Sequence, residues 1–382
     1  MPKLAIVDQN AVCNQGHYLL YTRHLADEAT HLFDKVEVWC RRNCEYTFPP
    51  SISTIKAFHT DWTDVQFNNE RSDLPETIYS LIKRRNFTYQ DIIFIHSIGV
   101  NELHALLTCC NGKPYGGPRF IVLLRYDPSL SDHDFAQTFD IVHALQSKNF
   151  PISFITDTIE LSNSYEKNLG VPVTPVPVAV SVRPSIAKQS SQTLSEPVCF
   201  CFMGDARSEK NYHRLPEAIK KLEGSHLDTG KIRFKLQSNF NSLHGDKGYQ
   251  QIRGALQAYR SDKVELIYGP YDEEKYLQHM VTADIILIPY HTNQYANRSS
   301  SILVEAMALG KPVIVPAGTW MASQVTPEHA VIIDSINSLA NGIAFAYKNI
   351  QTLKTGAQKA RTSILQNNSF RALSRTIFKN VI

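Results

Sequence analysis

Short runs of β-branched and aromatic residues alternate with helix-type segments along the whole chain, and this alternation constrains the fold more than any other feature. Consecutive strands joined by a helix lie parallel, because the helix carries the chain back along the sheet. In the first half the expected strands are KLAIVD (3–8), KVEVWC (35–40), DIIFIH (91–96), RFIVLL (119–124) and ISFIT (152–156). Between the first two, Tyr18, Tyr21, Leu25, Ala29 and Leu32 recur at three- and four-residue steps, which predicts a helix with one buried stripe. The pattern restarts with CFCFMG (199–204), IRFKLQS (232–238), VELIYG (264–269), DIILIPY (284–290), KPVIVP (311–316) and AVIID (330–334).

Between the two series, SVRPSIAKQSSQTLSEPV (181–198) is rich in Ser, Gln and Pro and has neither periodicity, so it reads as a linker. The expected architecture is therefore α/β, with two doubly wound Rossmann-like domains facing each other across a cleft. Open α/β sheets bind ligands at the carboxyl ends of their strands. The bounds are 1–180, a linker at 181–198, a second domain at 199–360, and a C-terminal helix at 361–382 that returns to the first domain. No internal repeat relates the halves.

Composition narrows the partners. Charged residues make up 20% and apolar residues 43%, the balance of a globular chain without long disordered tracts. The net charge of +3 divides unevenly: residues 1–190 carry 17 Lys and Arg against 20 Asp and Glu, whereas 191–382 carry 22 against 16. The second half suits a small anionic ligand better, and nucleic acid is not an expected partner. Seven cysteines without paired zinc-type spacing fit reduced thiols and a cytoplasmic location. No run reaches the roughly 18 apolar residues of a membrane span. IYSLIKRRNF (78–87) does pair an apolar stripe with Lys83, Arg84 and Arg85, so either an ordinary amphipathic helix or peripheral contact with the inner membrane surface fits it.

The stretch NRSSSILVEAMALGKPVIVP (297–316) carries the chemistry. A helix over 299–309 is expected, stopped by Gly310-Lys311-Pro312, with Arg298, Ser301 and Glu305 along one edge. The first amides of a helix lack internal partners and favour a phosphate. A carboxylate further along only accepts hydrogen bonds, which two ribose hydroxyls can donate. Eight helical residues from Asn297 to Glu305 rise about 12 Å, roughly the span from ribose through diphosphate to a hexose. A serine-capped core helix with a surface glutamate is the alternative.

EAMALGKPVIV (305–315) resembles the second half of the E-x7-E segment, E-P-F-G-x-x-x-x-E-A-M-A-x-G-x-P-V, of the GT-B glycosyltransferases, especially retaining family 4. Asn297 stands where that segment has its first glutamate, and Ser300 where it has glycine. GDARSEKNYHRLPEAIKKL (204–222) resembles the family's G-R-L-x-x-E-K-G-x-x-x-L-I loop, with Gly204, Glu209 and Lys210 in register; Asp205 replaces the arginine, and Arg207 follows two residues later. VELIYGPYDEEKYLQHMVTADIILIPY (264–290) resembles V-x-F-x-G-x-x-x-x-E-E-L-x-x-x-Y-x-x-A-D-I-x-x-x-P-S, where Asp284 serves loop geometry and 290–297 faces the donor sugar.

The resemblance implies transfer of a sugar from a nucleotide diphosphate sugar to a hydroxyl acceptor on a glycan or lipid-linked glycan, in polysaccharide or glycoconjugate assembly. It implies no metal and no cofactor beyond the donor substrate. On that basis Glu305 takes the ribose, Lys210, Arg207 and the amides of Ser299, Ser300 and Ser301 take the diphosphate, and Gly204, Asn297 and Arg298 complete the donor site. In the first domain Gly16 and His17 follow the first strand, where relatives have a diphosphate-bordering loop. His96, at a strand end, is either a catalytic group pointing into the cleft or a satisfied structural histidine. Tyr126 stands at the histidine of the family's T-x-H-D, and Arg125 and Asp127 beside it become acceptor-side candidates. DHD (132–134) opens a helix and is read as N-terminal carboxylates instead of a metal site. A silent nucleotide-sugar-binding adaptor and a sugar-nucleotide epimerase remain as alternatives, the first favoured by Asn297.

Overall fold

The structure, a computed structural model, describes residues 2–11, 17–60, 71–96, 98–113, 116–130, 135–182, 186, 196–239, 249–269 and 271–379. The chain divides into two compact units, Met1–Val178 with Phe370–Ile382, and Ala179–Ser369. Each is built on one parallel sheet flanked by helices.

Unit 1 contains β1 (Lys3–Asp8), β2 (Lys35–Arg41), β3 (Ile52–Phe58), β4 (Ile92–Ile95), β5 (Arg119–Leu124), β6 (Ile152–Thr156) and β7 (Val173–Pro175), in the order β3-β2-β1-β4-β5-β6-β7. Every pairing is parallel. The inner strands are buried along their length, as the IIFI of β4 shows, because helices cover both faces of such a sheet. The expected helix after β1 runs His17–Ala29 and buries Tyr21, Leu25 and Ala29. Helix Phe370–Phe378 packs beside it, with Phe370 5.3 Å from Tyr21 and Phe378 5.0 Å from Phe33 between ring centroids.

Unit 2 contains β8 (Val198–Phe202), β9 (Ile232–Gln237), β10 (Val264–Ile267), β11 (Ile285–Leu287), β12 (Val313–Pro316) and β13 (Ala330–Ile333), in the order β10-β9-β8-β11-β12-β13. All pairings are again parallel. Strand order reverses between β8 and β11, so their carboxyl ends diverge and leave a crevice there. Asp284 locks this seam: its carboxylate accepts the Cys199 amide at 2.9 Å and pairs with Lys354 at 3.2 Å. Lys311 adds a second lock, its buried ammonium donating to the Val281 and Ala283 carbonyls at 2.7 Å each, just past helix Glu273–Val281.

The structure refines three expectations. The serine-rich helix runs Ser301–Ala308, two residues later than expected at its start, because Ser300 is extended (φ −135°, ψ 110°) and serves as N-cap. Arg298 therefore precedes the helix, and helical rise does not measure the Asn297–Glu305 separation. At 78–87 the ordinary amphipathic helix is what forms: Leu74, Ile78 and Leu81 lie in the core, and Arg85 forks onto Glu37. Finally, helix Ile350–Asn367 belongs to unit 2 and continues past 360; the segment grouped with unit 1 begins at Phe370. Among the described residues no helix is long and apolar enough to cross a membrane.

Candidate donor site at the strand-order reversal of unit 2

The residues expected to hold a diphosphate converge on the carboxyl ends of β8 and β11. After β8 the chain turns at Gly204, whose φ of +99° is a region that residues with a β-carbon rarely adopt. Its amide donates to Gln237 Oε1 at 2.6 Å. The loop then forms a 3-10 turn over Ser208–Lys210 and is tied to the exit of β11 by two contacts. The Asn211 side chain donates to the Pro289 carbonyl at 2.8 Å, and the His291 amide donates to the Glu209 carbonyl at 2.9 Å. These ties fix Lys210 by backbone geometry.

Lys210 is 7% exposed, and its ammonium makes no hydrogen bond or ion pair with any described residue. It lies 5.5 Å from the centroid of the Tyr290 ring. Burial holds its pKa down to about 8, and the like charge of Arg207 adds to the effect. A buried cation without an anion is costly, so such an arrangement favours a bound anion as partner. Arg207 reaches Glu209 at 3.0 Å, but its Nε is buried without a hydrogen bond. Arg298 stacks on Tyr295, 5.0 Å from the ring centroid, and makes no ion pair with any described residue. Asp205, at the position of the family's arginine, accepts a hydrogen bond from Asn239 at 3.0 Å.

Helix Ser301–Ala308 presents its amino end to the same region, since Ile302 Cδ1 and Lys210 Nζ both crowd the place a β-carbon on Gly204 would take. Ser300 makes no side-chain cap, so the helix's first amides are not satisfied by it. Because the helix begins at Ser301, the amides available as its amino end are those from Ser301 onward; Ser299 and Ser300 belong to the extended lead-in. One turn on, Glu305 Oε2 accepts the Tyr276 hydroxyl at 2.8 Å. Burial pushes the Glu305 carboxyl up to about 7, while Tyr276 and Lys210 pull the other way. Asn297, ahead of this helix, is part-buried. On the β12–β13 side a 620 Å³ cavity opens, lined by Glu209, Asn211, Tyr290, His291, Gln294 and Asp334 among others.

The first-domain candidates do not assemble comparably. His96 is fully buried: Nε2 lies 2.6 Å from Thr22 Oγ1 and 3.3 Å from Asp8, so it is a core polar link and does not point out of unit 1. Arg125 pairs with Asp157 at 3.0 Å and lies 4.1 Å over the Tyr21 ring; the Tyr126 hydroxyl is 2.8 Å from that of Tyr18. Asp127 accepts the Ser129 amide at 2.9 Å and its hydroxyl at 2.7 Å, closing the turn after β5. Gly16, the His17 side chain and the DHD at 132–134 lie outside the described residues.

Two residues of the site carry no sequence signal of their own. Tyr276 sits on an ordinary amphipathic helix. Tyr290 lies past the end of β11 and is visible in sequence only as the start of a loop. Both gain their role from tertiary contacts.

Comparison with known proteins identifies the fold and the domain that carry these residues. Residues 185–363 match the family model described as glycosyl transferases group 1. Among solved structures, the sucrose-phosphate synthase of Thermosynechococcus elongatus aligns with a TM-score of 0.71 at 14% identity, covering 99% of this chain and 98% of that one. A glycosyltransferase of Rickettsia africae aligns at 0.69 and 13% identity, covering 99% of both chains. Anabaena HepE, in complex with UDP-glucose, aligns at 0.67 and 14% identity, covering 100% of this chain and 99% of that one. No curated protein sequence matches. The chain thus has the GT-B fold, and its second unit carries a glycosyl transferases group 1 domain: the protein is a glycosyltransferase.

Proposed function

We propose that this glycosyltransferase holds a nucleotide diphosphate sugar on unit 2 and passes its sugar to a hydroxyl of a glycan or lipid-linked glycan, with retention. The observation that carries the reading is the Lys210 ammonium, buried with no ion pair to any described residue beside Arg207 and the amino end of helix Ser301–Ala308. Breaking the bond between sugar and phosphate leaves charge on the diphosphate. Groups preorganised around that charge act mainly in the transition state, where one well-placed donor contributes about 3 to 4 kcal/mol. Lys210, Arg207 and the helix amides meet the leaving diphosphate, and these cations support a metal-independent reaction. Glu305 accepts from the ribose, and Asn297 faces the transferred sugar. Retention rests on the likeness of 305–315 to family 4, and a role in polysaccharide or glycoconjugate assembly rests on that family's usual tasks.

Asn297 in place of the first glutamate also favours a second reading, a nucleotide-sugar-binding adaptor without turnover. Incubation with a panel of nucleotide sugars separates the two. The enzyme should release nucleoside diphosphate slowly from one donor without acceptor, and Lys210→Ala should abolish the release with the fold intact. Binding with no release from any donor, with or without added glycans, would support the adaptor; isomerised donor would point to an epimerase.

A further inference from the structure

The Glu305 carboxylate has a fixed neighbour on a different element. Tyr276, from helix Glu273–Val281, donates its hydroxyl to Oε2 at 2.8 Å. That helix starts at Asp272, whose carboxylate accepts the Lys275 amide at 2.8 Å, and it is anchored below by buried Leu277, Met280 and Val281. The tyrosine is thus presented by a capped, packed helix and has little freedom to leave the carboxylate.

We propose that Tyr276 is a positioning residue for the nucleotide: it fixes the rotamer of Glu305 and keeps the carboxylate ionised, so that Oε1 and the remaining lone pair of Oε2 face the two ribose hydroxyls. The proposal rests on the reading of Glu305 as the ribose acceptor. An ionised carboxylate accepts from both hydroxyls, whereas a protonated one spends one oxygen as a donor. Near pH 7 the balance is narrow. Burial and Glu273 favour the protonated form, while the Tyr276 hydroxyl and the Lys210 ammonium favour the ionised one. Tyr290, facing Glu305 from the exit of β11, and Cys201, beside Tyr276 on β8, stay neutral because burial holds both well above their ordinary ranges. Removing the tyrosine hydroxyl therefore moves the titration of Glu305 upward, and the acid limb of nucleotide affinity moves with it.

The test is calorimetric titration of wild type and Tyr276→Phe with uridine, guanosine and adenosine 5′-diphosphates between pH 5.5 and 8, each as ribo and 2′,3′-dideoxy forms. The ligand's own titration is common to both proteins and cancels in the comparison. Expected for Tyr276→Phe is about tenfold weaker binding of the ribonucleotide at pH 7, and an acid limb displaced upward by about one pH unit. Discrimination between ribo and dideoxy forms should shrink. In a Glu305→Gln background the same substitution should change neither affinity nor pH profile. A role confined to packing would lower the melting temperature and leave limb and discrimination in place, which would overturn the proposal. Tyr276→Leu gives the same readout should the phenylalanine variant not fold. If no nucleoside diphosphate binds the wild type, the donor-site reading itself falls; if one binds and the variants match wild type, only the positioning role falls.

Discussion

The Lys210 ammonium occupies the space that a β-carbon on Gly204 would need, 2.6 Å from its position, with Ile302 Cδ1 only 3.0 Å from the same point. Gly204 is thus the floor on which the cation rests, and its φ of +99° strains any other residue. Gly204→Ala should displace the lysine and lower kcat at least tenfold, with a loss of about 1 to 3 kcal/mol in stability. Steady-state kinetics and thermal melting check both, and wild-type kcat in that variant would show that the ammonium position does not matter.

Lys210 also sets an alkaline limit. Its ammonium is charged below about pH 8 and neutral above, so affinity for a nucleotide diphosphate sugar should fall as pH rises through that value. Glu305, ionised above about pH 7, sets the opposite limb. The expected affinity profile is a bell with its maximum between the two. Lys210→Ala should remove the alkaline limb and reduce kcat by about 100- to 1000-fold. An alkaline limb that survives in Lys210→Ala assigns it to another group.

Donor choice should turn on Asn297. An asparagine offers one acceptor and two donor hydrogens where a glutamate offers acceptors alone. The transferred sugar should therefore present an acceptor, such as a carboxylate, an N-acyl carbonyl or an inverted hydroxyl. Asn297→Glu should lower turnover of the preferred donor about tenfold or more while leaving affinity for the bare nucleoside diphosphate nearly unchanged. Competition assays over a sugar-nucleotide panel measure this, and unchanged donor preference would move residue 297 away from the sugar.

Lys311 offers a test of stability remote from chemistry. Lys311 is 3% exposed, and its ammonium satisfies the Val281 and Ala283 carbonyls. Lys311→Met fills similar volume but leaves both acceptors bare, at a cost of about 1 to 3 kcal/mol per buried group. Burial lowers the lysine pKa to about 8, below its value of 10.5 in an unfolded chain. Between those values the unfolded chain holds more protons, so this lysine's contribution to stability grows as pH rises across the window. Chemical denaturation at pH 7.5 and pH 9.5 should show the mutational loss and its growth with pH.

The strands were legible in sequence because parallel strands buried on both faces are continuous apolar runs, as VCFCF and DIILIPY illustrate. ISTIKAF at β3 escaped notice because Ser53, Thr54 and Lys56 interrupt it on an edge strand, and β7 is only three residues long. The donor residues were legible through motif letters, since Gly204, Lys210 and Glu305 meet in one region. Their partners were not: the hydroxyl of Tyr276, the ring of Tyr290 and the Asn211 tie depend on distances between separate elements. His96 misled for the same reason, since a strand-end histidine looks identical in sequence whether it faces solvent or Thr22 and Asp8. The helix start slipped by two residues because serines suit both an extended lead-in and a first turn.

Helix Phe370–Phe378 belongs to unit 1, yet it is synthesised after every residue of unit 2. Folding on the ribosome ordinarily completes the amino-terminal body first. Here the nascent chain must hold Tyr21, Phe33 and Phe94 without the Phe370 and Phe378 rings that meet them in the finished protein. Unit 1 therefore waits through the translation of 191 intervening residues, 179 to 369, with an apolar groove open to solvent. Ribosomes that stall or terminate within that interval release a chain with an unfinished core and a natural target for chaperones.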